Sequence, residues 1–199
     1  MASSEQKPVD KQVRAWESMI NTQVVTSLAL LLVYFYVGYY YVPITIPDDP
    51  NMIDRMIYTF RWIPLEILPT IIAILVVGTA RGNNLRIAGD PRKPEQFTPP
   101  LIAVHVRFLA NTVEQTLIHV PGLFAVASYV QPENLKLIPL IVILFVIGRI
   151  VYWIGYTRHA FQRALGFMLT IYPSIGMHGY ALFCLFYYGA TYHGFSSGD

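Results

Sequence analysis

Long apolar segments alternate with short polar ones along the chain after residue 21. A helix needs about 20 mostly apolar residues to cross the roughly 30 Å hydrocarbon layer of a bilayer. Five segments reach that length, and they are residues 22–43, 58–80, 100–130, 134–157 and 163–190. The third and fifth are longer than a crossing requires, which predicts tilted helices or helices that extend beyond the lipid. The pattern therefore predicts an all-α integral membrane protein.

The amino-acid composition is that of a membrane protein. Hydrophobic residues make up 54% of the 199 residues and charged residues only 13%, which lies outside the usual range of soluble domains. The net charge of +2 is too small to indicate a nucleic-acid partner. Because Cys184 is the single cysteine, no intrachain disulfide is possible.

The first 21 residues mix acidic and basic side chains and lack the basic-then-apolar layout of a cleavable signal peptide. We therefore expect the first apolar segment, 22–43, to be retained as an anchor. In this organisation residues 1–21 form a cytosolic segment, and residues 191–199 form a short tail.

Basic residues near the ends of the apolar segments predict the orientation, because lysine and arginine accumulate on the cytosolic side. Three basic groups fall on one side of the predicted membrane: Lys7, Lys11 and Arg14; Arg81, Arg86, Arg92 and Lys93; and Arg158 and Arg163. The opposite connections, 44–57 and 131–136, contain fewer basic residues. The N-terminus is therefore predicted to be cytosolic, with the C-terminus across the membrane.

Polar residues recur at helical spacing inside two of the apolar segments. Arg107, Asn111 and Glu114 are spaced i, i+4, i+7, so they form one stripe along the third segment. The fourth segment carries a second stripe at Arg149, Tyr152 and Tyr156. Since the two segments are joined by a short turn, they form an antiparallel hairpin in which the stripes can meet at similar depth.

The stripes have two interpretations. In the first, Arg149 and Glu114 neutralise each other, and Asn111 and the tyrosine hydroxyls complete a network that only holds the helices together. In the second, an excess of positive charge binds an anionic ligand, because Glu114 is the only carboxylate in the last three segments. The arginines of the predicted cytosolic half or its edge are Arg81, Arg107, Arg149, Arg158 and Arg163.

The two stripes resemble motifs of the membrane-associated proteins in eicosanoid and glutathione metabolism, the MAPEG family. The first motif is Arg-x-x-x-Asn-x-x-Glu, at Arg107, Asn111 and Glu114. The second is Arg-x-x-Tyr-x-x-Gly-Tyr-x-Arg, which runs from Arg149 to Arg158. The motifs occur in the family's order on adjacent segments, and the resemblance covers about residues 58–190.

The resemblance implies a four-helix bundle that assembles into a homotrimer and binds glutathione between neighbouring subunits near the cytosolic face. It also implies a glutathione transferase or peroxidase that acts on lipophilic substrates, in keeping with a role in lipid metabolism. The implied glutathione-binding residues are Arg81, Arg107, Asn111, Glu114, Arg149, Tyr152, Tyr156 and Arg158. Arg163 stands where the leukotriene-forming synthase of the family has the arginine credited with stabilising the glutathione thiolate, so it is the implied catalytic residue.

Three features depart from the common four-helix pattern. They are the additional first segment, Gln115 in place of an aromatic residue, and His105 two residues before Arg107. The extra segment and the wording "NTVEQ" are most similar to the five-span mattrin branch of the family, which is associated with epithelial barrier and secretory trafficking. This branch implies an alternative, a non-catalytic membrane scaffold or trafficking protein, and it favours the endoplasmic reticulum or another secretory-pathway membrane.

Histidines inside the apolar segments do not indicate a metal site. His119 and His178 lack a His-x-x-x-His spacing or a nearby carboxylate pair in the sequence. The sequence therefore predicts that they are interior histidines with hydrogen-bond partners, and it predicts no metal.

Overall fold

Five long α-helices and one short 3₁₀ helix form the protein in this computed structural model, which describes residues 3–85, 99–159 and 161–192, with side chains from residue 12 onward. The helices are α1 (Ser3–Tyr41), α2 (Met52–Gly82), α3 (Pro100–Tyr129), the 3₁₀ helix (Pro132–Lys136), α4 (Leu137–Arg158) and α5 (Ala164–Tyr188). These described segments contain no β-strand. The predicted all-α class is confirmed.

Four of these helices are long and apolar enough to cross a membrane. They are α1 from Gln12 onward, α2, α4 together with the 3₁₀ helix, and α5. Helix α3 is also long enough, since its 30 residues span about 45 Å, but its polar stripe lowers its hydropathy. Helix α3 packs against both α2 and α5, and its place as a fifth span of the bundle stays a prediction.

Two helices begin before the apolar segments that they contain. Helix α2 begins at Met52 because Asn51 and Asp54 form a reciprocal cap. The Asn51 side chain accepts from Ile53 N at 2.8 Å, and Asp54 Oδ2 accepts from Asn51 N at 3.2 Å. Helix α1 begins at Ser3, so the polar segment predicted over 1–21 is largely helical and continuous with the first span.

Some expectations fall on residues outside the described ranges. They concern the basic loop residues Arg86, Arg92 and Lys93, and the tail from residue 193 onward.

Helix α1 lies along the outside of the four-helix bundle, against α5 and α4. Half-way along α1, Gln23 contacts Phe161 in the connection between those helices. Near its end, the Tyr39 hydroxyl donates to Asn134 Oδ1 at 2.6 Å. The second half of α1 therefore extends along the bundle from the α4–α5 connection to the 3₁₀ helix.

Two backbones approach each other closely where α4 crosses α5. A Cβ atom added to Gly166 would lie 2.5 Å from Tyr152 Cα, and one added to Gly155 would lie 2.8 Å from the carbonyl carbon of Gln162. Only glycine leaves room for helices at this separation. The crossing brings the start of α5, with Arg163, next to the tyrosines of α4.

Candidate functional site

A cleft of about 600 Å³ opens beside the connection between α4 and α5. Side chains of four helices and of that connection form its walls. They are Ile20 from α1, Arg107, Ala110, Asn111 and Glu114 from α3, Tyr152 and Tyr156 from α4, Phe161 and Arg163 from the connection, and Ala164, Phe167 and Met168 from α5. One part of this lining is charged and polar, and the rest is apolar. The cleft therefore combines most of both predicted stripes with Arg163.

The α3 stripe faces the cleft as the spacing predicts. Arg107 and Glu114 are exposed, and Asn111 is half-buried between them. Within the described residues neither charged side chain forms a hydrogen bond or an ion pair. Because charges on a membrane-spanning helix are costly without a partner, these two groups indicate contact with a ligand or with another protein surface.

Arg149 lies behind the cleft rather than in its lining. It is fully buried, and it donates to Asn111 Oδ1 at 3.0 Å and to Thr170 Oγ1 at 3.4 Å. Its guanidinium carbon lies 4.2 Å from the centre of the Tyr152 ring. Arg149 forms no ion pair with Glu114, so the charge pairing on which the helix-locking interpretation depends is absent from the described part of the chain.

The tyrosines of α4 and Arg163 form the opposite wall. Tyr152 and Tyr156 are buried, and the guanidinium carbon of Arg163 lies 4.6 Å from the centre of the Tyr156 ring. Arg163 is the N-cap residue of α5, and it makes no side-chain cap of its own. Because a helix N-terminus carries partial positive charge, Arg163 and the start of α5 together favour an anion here.

Two further predicted binding residues do not line this cleft. Arg81 lies exposed in the last turn of α2, and Arg158 lies exposed at the end of α4. Their assignment to a ligand stays a prediction.

A buried pair that the sequence analysis did not identify joins α2 to α3. His119 Nδ1 lies 2.6 Å from Glu66 Oε1, and both side chains are almost completely buried. The His119 ring also packs against Phe145, with ring centres 4.4 Å apart. Glu66 is the only acidic residue between 58 and 80. A lone acidic residue in an apolar segment was the feature of the sequence that could have indicated a buried partner. The pair lies outside the lining of the cleft.

Both histidines of interest have protein partners. His119 pairs with Glu66, and His178 Nε2 lies 2.8 Å from the Ile118 carbonyl oxygen. Glu66 Oε2 and His119 Nε2 have no hydrogen-bond partner among the described residues. His119 is thus an interior histidine with a partner, as predicted, but its partner is a carboxylate.

Comparison with known proteins links this architecture to a family. A sequence model of the MAPEG family matches residues 62–183. Transmembrane protein 79 of Mus musculus is 28% identical over 168 residues, which cover 81% of this chain and 41% of that protein. Transmembrane protein 79 of Bos taurus is 30% identical over 159 residues, covering 77% and 38%. The chain thus spans about two fifths of these relatives, and no solved structure matches it.

Proposed function

The chain belongs to the MAPEG family, whose model matches more than half of it, and from this premise we propose that the cleft binds glutathione. The observation that carries the proposal is the charge pattern of the lining. Two arginines, Arg107 and Arg163, face the cleft together with one carboxylate, Glu114. Apolar and aromatic side chains fill the space around them.

These groups match the chemistry of glutathione. The tripeptide carries two carboxylates, one ammonium group and a thiol, so it needs more cationic than anionic partners. Arg107 and Arg163 suit its anionic groups, because guanidinium binds carboxylate through charge-assisted hydrogen bonds. Glu114 suits the ammonium group, and Asn111 can accept and donate hydrogen bonds to the peptide. The volume of about 600 Å³ falls in the usual range of small-molecule sites.

The positive charge of Arg149 supports the same assignment. It lies one residue layer behind the cleft. Among the described side chains, its hydrogen-bond partners are all neutral. Its hydrogen bond to Asn111 polarises that amide in the direction that favours an anion in the cleft.

A second copy of the chain completes the site in this proposal. Arg107 and Glu114 are exposed on α3 in the single chain, and exposure of both charges to lipid would be costly. We place a neighbouring subunit over this face in a homotrimer, as the family resemblance implies. The basic end of the bundle, which carries the cleft, is assigned to the cytosolic side.

Glutathione should stabilise the protein, and the gain should depend on the α3 stripe. At a hundredfold excess over its dissociation constant, a ligand that binds only the folded state adds about 2.7 kcal/mol. We expect this gain in the wild type and its loss in Arg107→Leu and Glu114→Gln. Thermal unfolding in mild detergent, with and without millimolar glutathione, measures it. Arg61→Gln is the matched control, since Arg61 is an exposed arginine on α2 outside the cleft.

Absence of a glutathione-dependent shift in the folded wild type would contradict the proposal. A shift retained by both α3 variants would instead place the ligand elsewhere on the protein.

Arg163 is proposed to act on the thiol. Bound glutathione would supply a thiol whose ionised form is the nucleophile of transferase chemistry. A guanidinium beside the sulfur lowers the pKa of the thiol because it stabilises the thiolate. Arg163→Ala should therefore raise that pKa, and each unit corresponds to about 1.4 kcal/mol, or roughly tenfold less thiolate where the thiol is mostly protonated.

The ultraviolet absorbance of the thiolate, followed against pH in proteins saturated with glutathione, measures this pKa. Arg163→Lys is the control, since it keeps a positive charge at the same position. Equal titration midpoints in the wild type and Arg163→Ala would exclude this role. A wild type that binds glutathione with the pKa of the free thiol would favour the non-catalytic alternative.

A further inference from the structure

Helix α1, which lies outside the four-helix plan of the family, contacts the backbone on both sides of Arg163. The Gln23 side chain donates from Nε2 to the Phe161 carbonyl oxygen at 3.1 Å. Its Oε1 accepts from Leu165 N at 3.0 Å. A single amide of α1 thus holds the chain two residues before Arg163 and two residues after it.

One face of α1 provides these contacts. Trp16, Ile20 and Gln23 are spaced i, i+4, i+7 and are half-buried, as is Met19 beside them, whereas their neighbours Glu17, Asn21 and Thr22 are exposed. The Trp16 ring stacks on Phe161 with ring centres 4.9 Å apart. Ile20 itself lines the cleft. The face of α1 that anchors it to the bundle is therefore also the face that borders the cleft.

Gln23 replaces a cap that α5 lacks. The first backbone N–H groups of a helix have no partner within the helix and need an acceptor. Arg163 occupies the N-cap position of α5 but makes no side-chain cap, and the Leu165 N–H is satisfied by Gln23 from another helix. Without Gln23, the first turn of α5 would lose a hydrogen bond at the position that sets the direction of Arg163.

We propose that Gln23 is a positioning residue for the cleft, holding Arg163 over Tyr156 in the orientation needed to bind an anion. This inference rests on the proposed function for the identity of the anion, glutathione. It makes α1 a component of the site rather than only an anchor.

The first arm of the test needs no ligand. Hydrogen exchange of the backbone around residues 161–167 is compared in the full chain between the wild type and Gln23→Leu, which keeps the side-chain size but removes both hydrogen bonds. We expect exchange there to be faster by about tenfold, because the loss of both hydrogen bonds makes local opening of the backbone more frequent by about that factor. Thr22→Val is the control, because its hydroxyl is exposed and bonds only to Ser18 O of its own helix.

The second arm measures glutathione binding by calorimetry and the titration midpoint of the bound thiol in the same proteins. We expect Gln23→Leu to bind about tenfold more weakly and to raise the midpoint, with Thr22→Val unchanged. A role that is only structural would lower the unfolding temperature without moving the midpoint. Gln23→Met also removes both hydrogen bonds, with an unbranched side chain of similar length and no added charge, and the same changes are expected of it, which provides a reading if Gln23→Leu does not fold.

The outcomes separate the two proposals. Unchanged exchange around 161–167 would overturn the inference whatever glutathione does. Faster exchange with unchanged affinity and midpoint, in a protein whose wild type binds glutathione, would overturn it while leaving the proposed function intact. Absence of binding to the wild type would overturn the proposed function, and the inference would fall with it.

Discussion

Replacing Glu66 with leucine is expected to destabilise the protein by about 1–3 kcal/mol or more, the cost of leaving a buried polar group without its hydrogen-bond partner. His119 would then be buried against Phe145 with no group to accept from its Nδ1. The membrane interior adds to this cost, because no water can replace the missing carboxylate. Glu66→Gln should cost less, since an amide oxygen can still accept a hydrogen bond.

A double-mutant cycle isolates the pair. His119→Leu alone should also be destabilising, whereas Glu66→Leu combined with His119→Leu should recover most of the loss, because no polar group is then left buried alone. Unfolding measured in detergent gives the four free energies, with Glu17→Gln as a control on the exposed face of α1. If the losses of the two single variants simply add in the double variant, the pair contributes no coupling and this account is wrong.

The same variants test whether the pair is independent of the cleft. Glu66 and His119 do not line it, so the glutathione-dependent gain in stability should persist in the double variant. Loss of that gain would show that the α2–α3 contact also shapes the cleft.

Substituting alanine for Gly166 is expected to damage both stability and ligand binding. The added Cβ would lie 2.5 Å from Tyr152 Cα, and the obstructing atom is backbone, which cannot rotate away as a flexible side chain would. Helices α4 and α5 must therefore separate, at a cost of about 1–3 kcal/mol or more for overpacking. Separation would also move Arg163 away from Tyr156, so the glutathione-dependent gain should fall.

Gly176→Ala is the matched control on the same helix. A Cβ at Gly176 meets nothing within 4 Å, and alanine is favoured over glycine inside a helix by roughly 0.5–1 kcal/mol. The control should be neutral or slightly stabilising in the unfolding measurement, with ligand binding unchanged. Equal stabilities for Gly166→Ala and Gly176→Ala would show that α4 and α5 do not cross as closely as described.

Much of the fold was predictable from the sequence because a bilayer leaves few choices. Five apolar segments became five helices, since a chain in hydrocarbon must satisfy its backbone groups within each segment. Helices α1 and α2 begin before these apolar segments, because polar residues continue or cap the helix beyond the apolar run. Hydropathy marks the part of a helix that lies in lipid, but the hydrogen bonds of the cap determine where the helix begins.

Part of the cleft was also predictable. Helical spacing placed Arg107, Asn111 and Glu114 on one face, and the family resemblance pointed to Arg163. The partner of Arg149 was not predictable, because opposite charge favoured Glu114 while the structure pairs the guanidinium with Asn111 and Thr170. The spacing of residues along a helix does not determine how that helix is rotated relative to the next one.

The sequence by itself determined that this is a helical membrane protein with polar stripes on adjacent segments, because both properties depend on the order of residues within one helix. Only the tertiary structure decided that Glu66 meets His119 and that Gln23 caps α5. Those contacts join residues 53 and 142 positions apart. They depend on how helices cross and rotate, which is decided by packing such as the backbone contact at Gly166 rather than by any local pattern.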